Sequence, residues 1–479
     1  LGNMDEQLYS EAMTDNAYTK QPNDFTQNIG NGSYSTADAY VKKVWDGRYT
    51  GIRMCNQLLE NIDRVPDLDP ELKKRYIGEA KVLRAYNYYE LYTKFGDVPY
   101  TTKVLSIKES MSIARTDRAT VIANMLADLD EVINGNYLPT SYDADNKGRI
   151  TRWAAMAIKA KIYLFEGNWT QVKNITSTIM TEGGFTLFGS YAGLFEIANE
   201  YNSEVILDAQ YRPTSREHQM MYAFLPPSLG GYSQLSPLQE LVDSYIMLDG
   251  KTIKETGTSF DESHPYANRD PRLKATVMYT GNSYTLIDGT EVIINCEKGE
   301  GKDGYGVGSD CSATGYYIKK YWDNTYRATL YSGLNPILIR YADILLMNAE
   351  ALAELGELDK TAWDATIKPI RNRAGFTLAS ALEFPEGASK DKLIEIVRNE
   401  RRSELALEGH RHKDIIRWRI ADDVLNGWCH GLKTNEVVGT DNGYVRVENR
   451  TFNANRHYLW PIPQAERDLN GNLEQNPNW

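Results

Sequence analysis

The sequence lacks the short motifs that mark most metalloproteins and hydrolases. It has four cysteines and six histidines in 479 residues, with no CxxC pair and no HExxH, which excludes a zinc ribbon and a metalloprotease helix. No GxSxG element or Cys/His pattern indicates a nucleophile. The glycines of 299–308 neither follow a strand nor open a helix, so they do not form a phosphate-binding loop. We therefore predict no metal site and no cofactor.

Long apolar runs and an excess of positive charge are also missing. No run approaches the ~20 residues of a membrane-spanning helix. The net charge of −12 repels phosphate backbones, so nucleic acid is not an expected partner. The same net charge also weakly disfavours binding of a highly sulfated glycan, although a local basic patch could still bind one. The chain begins at Leu1 without an initiator Met, so we expect a trimmed mature fragment, and the missing signal peptide says nothing about localisation.

No long Gly/Ser-rich or Pro-rich linker divides the chain, which favours one large globule with an inserted region. Cys55 lies in an apolar helical pattern and is expected in the core. Cys296 and Cys311 flank the Gly-rich stretch, and in an oxidising compartment they either pair or remain thiols.

Helical periodicity predicts helices over 39–65, 71–95, 119–133 and 152–166. The stretch 80–92 is apolar on all sides, which is typical of a helix buried among other helices. Two Ala-rich helices end at a glycine, Gly167 and Gly356, and a second helix follows each within a few residues. This arrangement is typical of a tetratricopeptide-like helical hairpin. Asn335 and Pro336 are predicted as the start of a further helix.

The predicted fold class is mostly α, with tetratricopeptide-like hairpins forming a superhelical scaffold and a loop-rich mixed α/β insertion. The predicted regions of this single domain are an N-terminal loop region at 1–40, helices at 41–200, the insertion and ligand side at 201–334, and helices with a tail at 335–479. Long loops on a rigid scaffold usually carry function.

Tyrosine is abundant, with 32 copies against 11 phenylalanines, and its half-polar ring suits half-polar ligands such as sugars. Of the nine tryptophans, those in helical patterns are expected in the core, whereas Trp322 lies in "GYYIKKYWDNTY" among Tyr316, Tyr321 and Tyr326. Two interpretations stay open here. The segment is either an aromatic platform for sugars or a half-buried strand with packed tyrosines.

Glu400, Glu404 and Glu408 recur every four residues, with Arg401 and Arg402 between them. Paired carboxylates can perform acid–base chemistry, but interleaved guanidiniums favour structural ion pairs. His410 and His412 flank an arginine and lack a third ligand, so a metal site there is not predicted.

Several segments together resemble the SusD-like (RagB/SusD) family. They are "GEAKVLRAYNYYELYTKFGDVPY", "YANRDPRLKATVMY", "ILIRYADILLMNAEALAE", "IRNRAGF", "RNERRSELALEGHRHKDIIRW", "YLWPIPQAE" and "QNPNW". They span most of the chain in the family's order, and their combination is far more specific than any one of them.

The resemblance implies a glycan-binding protein that is not an enzyme. Such proteins are anchored to the outer face of the outer membrane by an acylated N-terminal cysteine, which this sequence lacks, and they cover a TonB-dependent, SusC-like channel. Their helix pairs face the channel and the loop-rich side binds oligosaccharide. The positions implied for glycan contact are Trp322, Tyr321, Tyr316 and Tyr305 in the insertion, and Tyr18, Asn16 and Asp15 in the N-terminal loop.

Two rival functions remain at this point. A peptide-capturing lid of the same fold would bind peptides and no glycan. A glycoside hydrolase would need two carboxylates ~5–9.5 Å apart in a cleft. The sequence names neither the sugar nor its linkage.

Overall fold

The fold is described by a computed structural model over residues 4–20, 26–325 and 330–479. The helices are α1 (Met4–Ser10), α2 (Gln27–Gly30), α3 (Ala39–Asn61), α4 (Pro70–Phe95), α5 (Ile107–Ser110), α6 (Arg118–Asn134), α7 (Arg152–Phe165), α8 (Trp169–Glu182), α9 (Met220–Phe224), α10 (Gln239–Ser244), α11 (Pro271–Thr276), α12 (Tyr341–Leu355), α13 (Lys360–Ala365), α14 (Ile367–Ala374), α15 (Ala379–Leu382), α16 (Lys390–Glu404), α17 (Arg411–Arg417), α18 (Ala421–Val424) and α19 (Gln464–Leu469). The strands are β1 (Ala17–Thr19), β2 (Val205–Asp208), β3 (Leu235–Pro237), β4 (Val277–Met278), β5 (Ser283–Thr285), β6 (Glu291–Ile293), β7 (Tyr317–Ile318), β8 (Ile337–Arg340), β9 (Gly427–Lys433), β10 (Thr440–Asp441) and β11 (Tyr444–Arg450).

The long helices form a succession in which each packs on the next. Helix α3 packs on α4, α4 on α6, α6 on α7, α7 on α8, α8 on α12, and α12 on α16. Their starts follow the capping rules, because the side chains of Asp38, Asp117 and Thr151 accept hydrogen bonds from free backbone N–H groups of the first turn. This confirms the predicted mostly α-helical body of helical hairpins.

The C-terminal half of helix α4 is enclosed by the rest of this body. Val82, Ala85, Tyr88 and Leu91 are fully buried, as the apolar pattern of 80–92 predicts. The helix ends at Gly96, whose φ of 71° is a backbone conformation that suits glycine.

The predicted helix start at Asn335 and Pro336 is wrong. Residues 337–340 form β8, which pairs antiparallel with β2, and helix α12 begins only at Tyr341. The buried side chains of Ile337 and Ile339 explain the strand. Asn335 does not cap a helix, because its amide donates to Asp208 and its carbonyl accepts from the backbone N–H of Tyr211.

The sheets are small and lie mainly outside the helical body. Pairs β1–β3, β2–β8, β4–β7 and β5–β6 have two strands each, and β10–β11–β9 form an antiparallel sheet of three. The insertion between 201 and 334 is mixed, as predicted. The three-stranded sheet near the C-terminus was not predicted, nor was helix α1 within the first forty residues.

A buried network of ion pairs joins the insertion to the helices. The guanidinium of Arg340 on β8 donates to Glu204, Glu404 and Glu408 at 2.6–2.8 Å. Arg272 on α11 pairs with Asp270, Glu400 and Glu404 at 2.7–2.9 Å. The predicted structural role of the Glu400–Glu404–Glu408 row is thereby confirmed.

Glu404 is the centre of this network and is fully buried. Burial opposes its ionisation, but the guanidiniums of Arg373, Arg340 and Arg272 outweigh burial and hold the pKa of Glu404 well below its usual range. The Glu404 carboxylate therefore stays charged at neutral pH and holds three cations from three segments of the chain.

All four cysteines are buried free thiols, so Cys296 and Cys311 do not pair. The Cys311 thiol instead donates to the backbone carbonyl of Lys302 at 3.2 Å.

We predict that Glu404→Ala lowers the free energy of unfolding by about 3–5 kcal/mol, because it leaves several buried guanidiniums without their carboxylate. Thermal melting would measure the loss. The matched control is Glu395→Ala on the same helix, since that side chain is 61% exposed and pairs with Lys392 at the surface. Equal melting temperatures for the two variants would refute the structural role of Glu404.

Candidate functional site

An open groove of about 610 Å³ lies between the insertion and the β9–β11 sheet. One wall consists of the loop at 262–267, Lys274, the turn at 279–282 and Glu297, all from the insertion. The opposite wall is the end of β9 with Thr434, Asn435 and Tyr444, and the floor contains Gln239 and Tyr316. Helices α3, α4 and α6–α8 contribute no lining residue among those described.

Tyrosines form the apolar surface of this groove. The rings of Tyr266 and Tyr279 stack with centroids 4.0 Å apart and an interplanar angle of 17°. Tyr316 meets Tyr266 edge-on below them. Tyr444 faces this group from the other wall and is half-buried. Half-exposed rings beside polar groups suit the apolar face of a sugar ring.

Three polar side chains of the groove remain available for a ligand. The Lys274 ammonium, the Glu297 carboxylate and the Asn435 amide make no hydrogen bond or ion pair with the described residues. They supply a donor, an acceptor and a group that does both, which is what sugar hydroxyls require. Burial raises the pKa of Tyr444 to about 12, so its hydroxyl stays protonated at neutral pH.

Two glycines allow the walls to approach each other. A Cβ on Gly315, at φ 77°, would lie 1.7 Å from the Leu432 side chain, and one on Gly431 would lie 2.5 Å from the Thr314 carbonyl. The backbone N–H of Leu432 donates to this carbonyl at 2.7 Å. Strand β9 can therefore lie directly on the insertion only because both positions lack a side chain.

Ion pairs also join the two walls. Lys433 pairs with Glu262 at 2.6 Å, and Lys298 pairs with Glu436. His430 on β9 lies between two carboxylates, with Nδ1 2.8 Å from Glu240 and Nε2 3.0 Å from Asp441. Hydrogen bonds that the imidazole donates to the carboxylates of Glu240 and Asp441 raise the pKa of His430 against the opposing effect of burial.

The predicted tyrosines of the insertion occupy different environments. Tyr316 is the one that lines the groove, but its ring is buried and its hydroxyl donates to Gln239 at 2.6 Å. Tyr321 is buried in the core, where its hydroxyl donates to the carbonyl of Leu407, so it presents no face to a ligand. Tyr305 is half-buried and packs on the core of the insertion.

Trp322 is half-buried and packs on the core of the insertion. Its indole N–H donates to the carbonyl of Thr285 at 2.9 Å, and its ring lies 5.1 Å from that of Tyr284. This packing fits the interpretation of a half-buried segment with packed tyrosines, and Trp322 is not among the residues that line the groove, so its role in a sugar platform stays a prediction. Tyr326 lies outside the described residues.

In the N-terminal loop, Asp15 and Asn16 are buried and serve the structure. Asp15 accepts from Arg411 at 2.8 and 2.9 Å, and Asn16 accepts from Arg402 at 2.9 Å. These hydrogen bonds hold the N-terminal loop against the helices. Because both side chains are buried and already bonded, neither is available to contact a ligand. Tyr18 is half-buried on β1, and its hydroxyl accepts from Gln27 at 3.3 Å.

The residues that sequence reasoning missed are the aromatics of the groove and one tryptophan. Tyr266, Tyr279 and Tyr444 lie far apart in the sequence, and only the folded chain brings them to one groove. Trp428 on β9 is 44% exposed, with the guanidinium of Arg446 5.5 Å from its ring centroid. Residues 427–433 show no regular alternation of apolar and polar side chains, so the sequence carried no clear signal for this strand.

Among the described residues, no three His, Cys, Asp or Glu side chains converge as metal ligands would. Within the same ranges, no helix is both long enough and apolar enough to cross a membrane.

Comparison of sequences finds two matching families. The profile described as the SusD family matches residues 194–479, and one described as "starch-binding associating with outer membrane" matches residues 2–164. Among curated proteins, SusD-like protein P25 of Formosa agariphila is 28% identical over 427 residues, which cover 82% of this chain and 75% of that protein.

Solved structures are similar over nearly the whole chain. A SusD-like carbohydrate binding protein from Bacteroides fragilis NCTC 9343 has a TM-score of 0.88 and 30% identity, covering 98% of this chain and 92% of that one. A second SusD-like protein from the same strain has a TM-score of 0.85 and 27% identity, covering 100% and 94%. The similarity includes both the helical body and the insertion.

We predict that His430 stabilises the attachment of β9 more at mildly acidic than at alkaline pH. Since its folded-state pKa lies above the ordinary value of about 6.5, its contribution is complete below about pH 6.5. It is lost as the pH rises through the folded-state pKa. The difference in melting temperature between wild type and His430→Gln should therefore shrink from pH 5.5 to pH 8.5.

The control for this prediction is Asp441→Asn, which removes one of the two carboxylates. In an NMR titration this variant should show a lower pKa for His430 than the wild type does. A wild-type pKa at or below the ordinary histidine value would contradict the proposed attachment.

Proposed function

This chain belongs to the SusD family, and on that premise we propose that it is a non-catalytic protein that captures oligosaccharides in the groove between the insertion and the β9–β11 sheet. The observation that carries the proposal is the groove itself. Stacked Tyr266 and Tyr279 lie in the same cleft as Lys274, Glu297 and Asn435, whose side chains have no hydrogen-bond or ion-pair partner in the part of the chain that the structure describes. The similar protein from Bacteroides fragilis is described as carbohydrate binding, which supports a glycan as the ligand.

The groove is open and shallow, which sets the expected affinity. An aromatic contact contributes roughly 0.5–1.5 kcal/mol beyond area burial, and few rings face this cleft. We expect a dissociation constant of about 0.1–1 mM, or about −4 to −5.5 kcal/mol. Weak capture suits a protein that must release its ligand again.

We predict that Tyr279→Ala weakens binding of the cognate glycan about tenfold or more with an unchanged fold, because the ring is half-buried at the surface of the groove. A glycan array would identify the ligand, and calorimetry would measure its affinity. The matched control is Tyr232→Ala, since Tyr232 is 44% exposed and lies outside the groove.

Other results of these binding measurements would move the binding site or indicate a different function. Loss of binding in Tyr232→Ala but not in Tyr279→Ala would place the platform elsewhere. Trp322→Ala tests the contact predicted from the sequence, and a large fall in its melting temperature would assign Trp322 to the core. Binding of peptides without any glycan would favour a peptide-capturing lid, and shortened glycan after prolonged incubation would indicate a hydrolase.

We also propose that the protein is lipid-anchored at the cell surface of the outer membrane and passes its ligand to a SusC-like TonB-dependent channel. The family described as associating with the outer membrane supports this location. The separation of groove and helices supports the division of roles, because the outer helical faces stay available for a channel.

We predict that the full-length tagged protein co-isolates with such a channel from detergent-solubilised outer membranes. Tyr279→Ala is the control and should co-isolate equally, because its side chain lies in the groove and not on the helices. Absence of any channel protein from the wild-type preparation would refute the proposed partner.

A further inference from the structure

Trp428, near the start of β9, is the most exposed of the nine tryptophans. Its side chain is 44% exposed, and it belongs to no cluster of the hydrophobic core among the described residues. Within the same ranges its indole N–H makes no hydrogen bond. The ring therefore offers both an apolar face and a free donor to a ligand at the surface.

The side chains around Trp428 share one face of the β9–β11 sheet. Asn449 on β11 is directly opposite Trp428 in the antiparallel pair, and side chains of such pairs lie on the same face with Cβ atoms about 4.5–5.5 Å apart. The guanidinium of Arg446 lies 5.5 Å from the centroid of the Trp428 ring, so Arg446 is on this face too. We name Trp428, Arg446 and Asn449 the tryptophan platform.

A chain of polar contacts holds Arg446 beside the ring. The Arg446 Nε donates to Asp441 at 3.0 Å, and a second guanidinium nitrogen donates to the same oxygen. The other oxygen of Asp441 lies 3.0 Å from Nε2 of His430, which also contacts Glu240. A guanidinium has five N–H groups, so donors remain for a ligand after the bonds to Asp441 are made.

The platform offers the groups that a sugar ring requires. The indole supplies an apolar surface, the indole N–H and the guanidinium donate, and the amide of Asn449, which has no partner among the described residues, both donates and accepts. The charges of Arg446 and Asp441 cancel each other, which favours a hydroxyl-rich ligand over an anion. Protein contacts instead concentrate on tryptophans surrounded by other packed groups, whereas the neighbours of Trp428 on this face are polar.

The platform is continuous with the groove through β11. Tyr444 lines the groove, and Arg446 lies two residues further along the same strand. Val445 between them is buried, as expected when Tyr444 and Arg446 share the outer face. The rise of a strand places Tyr444 about 7 Å from Arg446 and about 15–17 Å from Asn449. A glycan that leaves the groove over Tyr444 would therefore reach the platform with its following sugar units.

We infer that the tryptophan platform is a second sugar subsite, so that the ligand is a glycan chain that contacts the groove and Trp428 together. The inference rests on the proposed function, because it extends the same groove. When two linked units bind two sites, the second contact is intramolecular and raises the affinity without a stronger contact at either site. Affinity should therefore rise with chain length until both sites are filled.

The test measures affinity against chain length by calorimetry. The probes are malto-, cello-, xylo-, manno- and laminari-oligosaccharides, each from the disaccharide to the octasaccharide. They are titrated into wild type, Trp428→Ala, Trp428→Phe and Tyr279→Ala. The matched control is Tyr232→Ala, because Tyr232 is also 44% exposed but lies outside the groove and the β9–β11 sheet. Trp428→Ala should melt like wild type, since the ring belongs to no core cluster of the described residues.

We expect Trp428→Ala to weaken binding of the longest oligosaccharide about three- to tenfold and to change binding of the disaccharide less than about twofold. Trp428→Phe keeps a ring and should lose less, Tyr279→Ala should weaken both lengths, and Tyr232→Ala should match wild type.

Three results would overturn the second subsite. Equal affinities of Trp428→Ala and wild type at every length would remove it and leave the groove standing, and loss of the channel on co-isolation of that variant would then assign Trp428 to a protein contact. An equal loss at every length in Trp428→Ala, with Tyr279→Ala unaffected, would make Trp428 the primary site in place of the groove. Binding of wild type to no oligosaccharide would overturn both the subsite and the proposed function.

Discussion

The buried carboxylate of Glu404 is the contact on which the rest of the structure depends. It receives Arg340 from β8, Arg272 from α11 and Arg373 from α14, and these segments are distant in the chain. Glu400, one helical turn before Glu404, pairs with Arg371, and Glu408, in the turns that follow the helix, pairs with Lys320. A charge in a low-dielectric interior is tolerated only when it is fully paired. The insertion and the helices must therefore meet in one arrangement.

This network explains how a loop-rich insertion can present a defined groove. Arg272 is buried two residues before Lys274, which is exposed and lines the groove, so the same short segment is held in the core and reaches the groove. The groove then needs few supporting contacts of its own. Because Gly315 and Gly431 have no side chain, β9 can pack directly against the insertion. Glu240 and Asp441 hold β9 in place through their contacts with His430.

The helical body and the groove are separate parts of the molecule. The helical body buries apolar faces and ion pairs and contributes nothing to the groove from α3, α4 or α6–α8. The groove offers partly exposed tyrosines with unpaired polar groups, which is a surface suited to weak and reversible binding of sugars. The proposed function, with capture in the groove and docking through the helices, needs this separation, because one surface cannot serve both tasks at once.

Periodicity, local capping and motifs along the chain were enough to predict the helical body, the structural role of the Glu400–Glu404–Glu408 row and the family. The sequence did not reveal the β9–β11 sheet, and it mistook β8 for the start of a helix. It also did not distinguish the buried Tyr321, Asp15 and Asn16 from residues open to a ligand. Only the tertiary structure decided which aromatics meet, since Tyr266, Tyr279 and Tyr444 belong to separate segments. Whether a polar side chain is paired or available depends on neighbours that the chain supplies from far away.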